Sequence, residues 1–239
     1  MRRRADPTYD IGRQLADDPV VVVVDDFVTE AECKHVINQA RRDMGSAKVT
    51  RDGTYQASAG RTGEVAWVKH GHTPIVRGLV KRVSELVAIP VSHAESLQVV
   101  HYGETQEYRP HHDAWDLSTA NGKERTAASG QRLITALMYL NEVDAGGATE
   151  FPGLKIQIEP VPGRMALFHN TSESGDLHRK SLHGGLPVVG GEKWVANLWF
   201  RERPYSPGGG ARPRPATTRS RGNAKKSRKS QKSARRKNR

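Results

Sequence analysis

The 239-residue chain carries a net charge of +12, and one end of the sequence accounts for the whole excess. Residues 206–239 contain thirteen Lys and Arg and no Asp or Glu, which leaves 25 basic and 26 acidic residues in positions 1–205. No run of 18 apolar residues occurs, so we predict no membrane span. The basic start is followed by acidic residues instead of an apolar segment, so we expect no secretory signal.

The single cysteine, Cys33, has no partner for an internal disulfide. A chain without disulfides favours a reducing compartment, so we expect a cytoplasmic protein, or a nuclear one if the source is eukaryotic. Cys33 lies within an amphipathic helical pattern. Because free cysteines are usually buried, we expect it to serve as a packing residue.

The N-terminal part predicts one strand and two helices. Five consecutive valines within residues 19–28 favour a buried strand. Thr29 and Glu32 have the spacing of a capping box, which predicts a helix that ends near Arg42. Thr73-Pro74 places a cap residue before a proline at the first helical position, and this predicts a second helix. We expect both helices only to support a sheet, because amphipathic stripes normally face a core.

From residue 96 onward the sequence shows short extended segments separated by turn signals such as Asn121-Gly122 and Pro162-Gly163. Many short strands after two helices predict a mainly β fold, a double-stranded β-helix (jelly roll) with the N-terminal helices packed outside. We expect residues 1–94 to support the barrel and residues 95–205 to form it. Six segments are predicted as strands: residues 96–102, 133–140, 155–159, 164–168, 180–184 and 194–201.

The basic segment, residues 206–239, contains Ser, Gly, Pro, Lys and Arg and no aliphatic residue larger than alanine. Such a composition buries too little apolar area to offset the entropy of ordering, so we predict a disordered tail. Clustered cations attract phosphate backbones through counterion release. We therefore expect sequence-independent binding to nucleic acid or another polyanion, with a solubilising tail as the alternative.

Three residues have the chemistry of a metal site. His111 and Asp113 are two positions apart, and residues i and i+2 of a strand share a face. His183 in a distant extended segment offers a second imidazole. Two imidazoles and one carboxylate suit ferrous iron with open positions. Alternatives remain at this point: His112 paired with Asp116, and His169 or His178 as the third ligand.

The motifs around these residues resemble the catalytic domain of the iron(II)/2-oxoglutarate-dependent dioxygenases, most of all the prolyl 4-hydroxylase branch. The resemblance covers residues 96–203 in order. It rests on Tyr102-Gly103, Tyr108-x-Pro-His-x-Asp113, Gly130-Gln-Arg132, Leu137-Met-Tyr-Leu-Asn141, Gly146-Gly-x-Thr149, Phe151-Pro152, Pro160–Phe168, His183-x-Gly185, Gly191-Glu-Lys-Trp194 and Trp199.

The resemblance implies a role for each matching position. His111, Asp113 and His183 would bind iron(II), and Lys193 would pair with the distal carboxylate of 2-oxoglutarate. The keto acid end of the cosubstrate would chelate the metal. The remaining positions of the cosubstrate pocket are Tyr102 and Thr149, which would donate hydrogen bonds to the same carboxylate, and Trp199, which would line the wall. Ordinary packing is the alternative for Tyr102 and Trp199.

The resemblance also implies substrate contacts, at Arg132, Tyr108 and Arg61. Residues 51–65 resemble a substrate-covering loop of the prolyl hydroxylases, and the composition of residues 114–130 suggests a second mobile lid. The family often has a histidine eight residues after the cosubstrate lysine, and this chain has Arg201 there.

The implied function is hydroxylation of a peptidyl residue, proline at C4, with O2 as the oxidant, decarboxylation of 2-oxoglutarate to succinate and ascorbate as a reductant. The implied partner is a proline-containing peptide or protein. Two alternatives remain: hydroxylation of another residue or a free amino acid, and a nucleic-acid-binding protein whose barrel is a scaffold for the basic tail. A nucleic-acid demethylase is disfavoured, since that branch usually has arginine at the position of Lys193.

Overall fold

A computed structural model of the protein describes residues 9–46, 48–51, 54–57 and 60–205. The predicted tail, residues 206–239, lies outside the described residues, as does part of the predicted lid at residues 51–65. The described helices are α1 Glu30–Arg41, α2 Pro74–Leu86 and α3 Ala120–Thr126, with short 3-10 turns at Val91–His93 and Arg179–Ser181.

The described strands are, in chain order, β1 Arg13–Asp17, β2 Val20–Val24, β3 Gly45–Ser46, β4 Lys48–Arg51, β5 Thr54–Ala57, β6 Glu64–Val68, β7 Leu97–Tyr102, β8 Tyr108–His111, β9 Arg132–Tyr139, β10 Ala145–Gly146, β11 Thr149–Phe151, β12 Ile156–Ile158, β13 Met165–His169, β14 His183–Gly185, β15 Val188–Gly190 and β16 Lys193–Arg201.

The caps that the sequence predicted are present at both N-terminal helices. Thr29 Oγ1 accepts from the backbone N–H of Glu32 at 3.3 Å, and a Glu32 carboxylate oxygen accepts from the Thr29 N–H at 2.9 Å. Thr73 Oγ1 accepts from the backbone N–H of Val76 at 3.2 Å. These bonds satisfy donors that the first helical turn leaves without partners, which fixes where α1 and α2 begin.

Two sheets form the body of the molecule. The large sheet has eight strands in the order β1-β2-β13-β9-β16-β7-β6-β3, and the small sheet has four in the order β12-β11-β14-β8. Phe151 of the small sheet packs edge-on against Phe168 of the large sheet, with ring centroids 5.0 Å apart. The two facing antiparallel sheets confirm the predicted jelly roll.

The large sheet is buried on both sides. Its outer face packs against α1 and α2, and it includes Val99, Ala136, Met138, Ala196, Leu198 and Phe200. Its inner face points toward the small sheet, and it includes Val100, Tyr102, Leu137, Tyr139, Phe168 and Val195. Because successive residues of a strand point to opposite faces, each of β7, β9 and β16 supplies both faces by alternation. Burial on both sides also explains the run of five valines in β2, all of which are buried.

Some sequence predictions were wrong in detail. Residues 180–181 belong to the 3-10 turn Arg179–Ser181, so the predicted strand over residues 180–184 begins only at His183. The segment 114–130, predicted as a loop, contains α3, because Thr119 Oγ1 caps the N–H of Gly122 at 3.0 Å. Asn121-Gly122 therefore lies in the first turn of a helix and makes no hairpin.

The N-terminal part and the barrel share one sheet, since β6 pairs with β7 from Glu64 opposite His101 to Val68 opposite Leu97. The division into residues 1–94, 95–205 and 206–239 stays a prediction. No helix in the described part of the chain has the length and the apolar character needed to cross a bilayer.

Candidate active site

Two neighbouring strands of the small sheet bring the predicted triad together. β14 pairs with β8 so that His183 lies directly opposite His111. β8 ends at His111, so Asp113 lies two residues beyond the strand, and the prediction that one strand holds both residues was wrong. The three side chains nevertheless converge: one ligand atom from each lies within 4.8 Å of the others.

Glycine permits this close pairing. A Cβ atom on Gly184 would lie 2.9 Å from the carbonyl oxygen of Tyr108, which is closer than real Cβ atoms approach. Any side chain at this position would therefore separate β14 from β8. His183 directly precedes this glycine. The close approach of the two strands therefore keeps the imidazoles of His183 and His111 near each other.

The hydrogen bonds of the two imidazoles determine which nitrogen faces the metal position. His111 Nδ1 lies 2.9 Å from the carbonyl oxygen of Arg109, and His183 Nδ1 lies 2.9 Å from that of Ser181. A carbonyl only accepts, so each Nδ1 carries the proton and donates it. Each Nε2 is then unprotonated and faces Asp113, 3.8 Å away for His111 and 3.6 Å for His183. This tautomer is the one that a metal ion requires.

A chain of hydrogen bonds fixes the carboxylate. Thr135 donates to Asp113 Oδ2 at 2.7 Å, and the amide of Asn170 donates to the Thr135 hydroxyl at 2.8 Å. Burial raises the pKa of Asp113, but the neighbouring His183, His111 and Arg132 outweigh it and hold this pKa well below its usual range. Asp113 is therefore ionised and held in one orientation, which suits a metal ligand.

Aromatic rings enclose the histidines. Tyr108 stacks on His111 with ring centroids 3.6 Å apart, and Phe168 lies edge-on to His183 at 4.6 Å. Burial is the largest cause that lowers the pKa of His111, to about 3. The imidazole therefore stays neutral at physiological pH, and its Nε2 lone pair remains available.

Lys193 lies in the same cavity and is 3% exposed. Its ammonium group donates to the carbonyl oxygen of Gly147 at 2.5 Å and lies 5.5 Å from the centroid of the Tyr139 ring. Among the described residues, no carboxylate lies within ion-pair distance of it. Burial lowers the pKa of Lys193 to about 8. A buried cation without a counter-charge is costly, so this end of the cavity is suited to an anionic ligand.

Two hydroxyl groups lie beside the lysine. Tyr139 donates its O–H to Thr149 Oγ1 at 2.8 Å, which leaves the Thr149 proton free to donate elsewhere. Burial raises the pKa of Tyr102 to about 12, so its hydroxyl remains a donor. Thr149 and Tyr102 line the cavity together with Trp199.

The predicted substrate residues occupy different positions. Arg61 and Tyr108 line the cavity, and the guanidinium of Arg61 lies 4.0 Å from the centroid of the Tyr108 ring. Arg132 instead donates to both oxygens of Glu95, at 2.6 and 2.9 Å, and covers the ring of Trp199 at 3.7 Å. A terminal nitrogen of Arg132 also lies 3.8 Å from Asp113 Oδ1, but Arg132 is not one of the residues that line the cavity.

The alternative ligands lie apart from the triad. His112 Nε2 is bonded to the carbonyl oxygen of Arg179, His169 to the hydroxyl of Tyr9, and His178 to the carboxylate of Asp18. Asp116 accepts from Ser118. In the part of the chain that the structure describes, the triad is the single cluster of His, Cys, Asp or Glu with metal-ligand spacing.

Sequence reasoning missed Thr135, Asn170 and Glu95. Thr135 interrupts the apolar residues 133–138 of β9, and a buried hydroxyl needs a partner, so that interruption was a usable signal. Glu95 accepts from both Arg132 and Arg201, the latter at 2.6 Å, and no spacing in the sequence indicates this cluster.

The site residues fit iron(II): two unprotonated Nε2 atoms and one ionised carboxylate oxygen converge, and the open side of the cavity leaves further positions accessible. The comparisons agree. The sequence profile of the 2OG-Fe(II) oxygenase superfamily matches residues 97–201. Prolyl 4-hydroxylase 5 of Arabidopsis thaliana is 36% identical over 206 residues, which span 77% of this chain and 68% of the relative.

The chain belongs to the prolyl 4-hydroxylase-like branch of the iron(II)/2-oxoglutarate oxygenases. It is a 2-oxoglutarate-dependent dioxygenase, and the family implies iron(II), 2-oxoglutarate and O2. A putative prolyl 4-hydroxylase of Acanthamoeba polyphaga mimivirus is 34% identical to this oxygenase over 193 residues, covering 80% of this chain and 78% of that one.

A solved structure has the same fold as this oxygenase. The 2OG complex of the viral collagen prolyl hydroxylase from Paramecium Bursaria Chlorella virus-1 aligns with a TM-score of 0.60 and 28% identity. The alignment covers 76% of this chain and 95% of that chain. The similarity therefore extends over nearly the whole of the viral protein.

Proposed function

We propose that the enzyme hydroxylates a peptidyl proline at C4 with O2 as the oxidant. One oxygen atom enters the proline, and the other enters succinate as 2-oxoglutarate loses carbon dioxide. The observation that carries the proposal is one cavity with a His–Asp–His triad at one place and, at another, a buried lysine that has no carboxylate partner among the described residues. The triad suits iron, and the lysine suits the far carboxylate of a dicarboxylic keto acid. The relatives named above are prolyl hydroxylases, which supports proline as the target.

In this proposal His111, Asp113 and His183 hold iron(II) on one side, and the iron and 2-oxoglutarate supply the oxidising chemistry when bound. The protein orients the cosubstrate. Lys193 pairs with its distal carboxylate, and Thr149 and Tyr102 donate hydrogen bonds to the same group. Removing such a carboxylate from water strengthens these contacts, because the cavity wall around them is buried.

The peptide enters over the residues at the cavity mouth. Trp67 is 49% exposed, and its ring lies 6.2 Å from that of Trp199. Proline-rich peptides dock on aromatic surfaces, so the exposed ring of Trp67, supported by the buried Trp199, offers an apolar contact for a proline ring. Tyr108 and Arg61 contact the peptide on the other side. Arg132 supports the substrate wall from behind, since its guanidinium covers Trp199.

The test is direct turnover. Purified protein with ferrous iron, 2-oxoglutarate and ascorbate should form succinate faster when a proline-rich peptide is added. Mass spectrometry should find about 16 Da added to that peptide, the mass of one oxygen atom. The matched control is the same peptide with alanine in place of proline, which should stay unmodified. Oxygen incorporation into the alanine peptide, or into a free amino acid but no peptide, would favour the alternative hydroxylases.

We further propose that residues 206–239 bind polyanions and that the protein works in a reducing compartment. The thirteen cations of that segment support the first proposal, and the lone Cys33 supports the second. Deleting residues 206–239 should abolish retention on heparin at moderate salt and leave turnover of a short peptide unchanged. Unchanged retention would refute the binding proposal, and lost turnover would show that the segment belongs to the catalytic unit.

A further inference from the structure

Two cations line the cavity, and only one has a proposed counter-charge. Lys193 is assigned to the distal carboxylate of 2-oxoglutarate. Arg61 lies at the cavity mouth beside Tyr108. Among the described residues, no carboxylate lies within ion-pair distance of Arg61, and Asp113 is the one acidic residue in the cavity wall. The site thus has one more positive group than its own residues balance.

The backbone holds Arg61 firmly in this position. The N–H of Arg109 donates to the carbonyl oxygen of Gly60 at 2.8 Å, and the N–H of Thr62 donates to that of Glu107 at 3.1 Å. These bonds attach residues 60–62 to the chain that leads into β8. Because β8 ends at the ligand His111, the position of Arg61 is fixed relative to the metal centre.

The guanidinium itself is incompletely bonded. Its partners are neutral groups: the side-chain oxygen of Gln98, at a long 3.3 Å, and the hydroxyl groups of Tyr102 and Tyr108. Its Nε atom is buried, and in the described part of the chain it has no hydrogen-bond partner. Buried donors on charged groups rarely lack a hydrogen bond. A ligand with a negatively charged acceptor would supply the missing partner of the Arg61 Nε–H.

The cosubstrate does not provide that acceptor in the proposed arrangement. 2-Oxoglutarate has two carboxylates, and the proposed roles place one at Lys193 and the other at the metal. The carboxylate of Glu95 does not provide it either, since Glu95 already accepts from Arg132 and Arg201. The remaining source is the substrate.

We propose that the preferred substrate is a proline with an aspartate or glutamate within two positions of it, whose carboxylate pairs with Arg61. This inference rests on the proposed function and names the substrate class. The Arg61 guanidinium lies over Tyr108, and Tyr108 stacks on His111 at 3.6 Å. Consecutive residues of a peptide are about 3.8 Å apart, so an acidic side chain one or two residues from the reacting proline spans that short distance.

The experiment uses the full-length enzyme loaded with iron and 2-oxoglutarate. The probes are nonapeptides of neutral sequence with one central proline, and a single Glu, Gln or Lys placed one or two residues before or after it. At the favoured position, kcat/KM for the Glu peptide should exceed that for the Gln peptide by about 10- to 100-fold, the value of a charge-assisted hydrogen bond. The Lys peptide should be the poorest substrate.

Arg61→Gln should bring the ratio of Glu to Gln peptides to about one, and Arg61→Glu should make the Lys peptide the best substrate. Lys69→Gln is the matched control, because Lys69 is an exposed cation just after β6. This variant loses the same charge and should keep the wild-type preference. Thermal unfolding of each variant separates a lost preference from a lost fold.

The possible results are distinguishable. Equal turnover of Glu, Gln and Lys peptides by the wild type overturns this inference and leaves the proposed function standing. A raised KM for 2-oxoglutarate in Arg61→Gln, with the peptide preference intact, overturns it too and assigns Arg61 to the cosubstrate. No turnover of any proline peptide refutes the proposed function, and this inference with it.

Discussion

The two faces of the large sheet use the same strands for different purposes. On β16 the outer-face residues Ala196 and Leu198 pack against the helices, whereas Lys193 and Trp199 on the inner face belong to the cavity. Side chains alternate along a strand, so residues next to each other in sequence point to opposite faces. Residues that stabilise the fold therefore alternate along one strand with residues that line the cavity.

The largest effect should come from the cavity side. His183→Ala removes one of the three proposed ligands and should lower succinate formation by at least about a thousandfold, because metal-assisted chemistry depends on the complete donor set. The fold should persist, because His183 takes no part in the apolar core between the outer face and the helices. Succinate assays and circular dichroism check this. Retained turnover in a folded variant would show that His183 is not the third ligand.

The outer face should respond in the opposite way. Leu198 is fully buried between β16 and the helices. Leu198→Ala should lower the free energy of unfolding by about 2–5 kcal/mol through the lost contacts and the cavity left behind. Turnover per folded molecule should stay near the wild-type value. Denaturant unfolding and kinetics at low temperature measure the two quantities, and a large fall in kcat would break the separation of the faces.

Lys193 should affect both activity and stability. Lys193→Met should raise KM for 2-oxoglutarate by about a hundredfold, since a buried carboxylate loses its charged partner. In the wild type, kcat/KM for 2-oxoglutarate should fall as the pH rises through about 8, because the ammonium group loses its proton. The variant should lack this step. A fall at the same pH in both proteins would assign the titration to another group.

The same pKa has a consequence for stability. Burial lowers the pKa of Lys193 from 10.5 to about 8, so between these values the unfolded chain binds more protons than the folded one. Stability of the wild type relative to Lys193→Met should therefore rise as the pH increases from about 8 to 10.5, by up to about 3 kcal/mol. Thermal unfolding at several pH values measures it, and a difference that stays constant over this window would contradict the assignment.

The smallest effect should come from the partner of Asp113. Thr135→Val keeps the shape but removes the hydroxyl that donates to Asp113 and accepts from Asn170. Affinity for iron(II) should fall by about 10- to 100-fold, as for other residues that orient metal ligands. Titration with ferrous iron under anaerobic conditions tests this. Thr135→Ser is the control and should recover most of the affinity.

The sequence allowed the fold to be predicted where local rules decide it. The caps at Thr29 and Thr73 and the valines of β2 involve neighbours in sequence, and these predictions were confirmed. The short α3 was missed because Asn121-Gly122 is also a common turn sequence. Its helix depends on the cap at Thr119, which competes with that turn.

The site could be predicted only as far as the residue types, His and Asp, indicate candidate metal ligands. His111, Asp113 and His183 are close in the structure, but their support is not visible in the sequence. The Glu95 cluster forms because β7, β9 and β16 are adjacent, and that order depends on the whole sheet. For the same reason Arg201, which differs from the histidine frequent in the family, could be noted from the sequence while its bond to Glu95 could not.

The position of β16 affects how the protein is made. This strand is the last one in the described chain, yet it lies in the middle of the large sheet between β9 and β7. A nascent chain that stops before residue 193 leaves those two strands without their shared neighbour and lacks the lysine altogether. The ribosome must therefore finish nearly all of residues 1–201 before the barrel can close. A chain that stops just before residue 193 thus contains the triad but lacks both the central strand of the large sheet and the cation at the far end of the cavity.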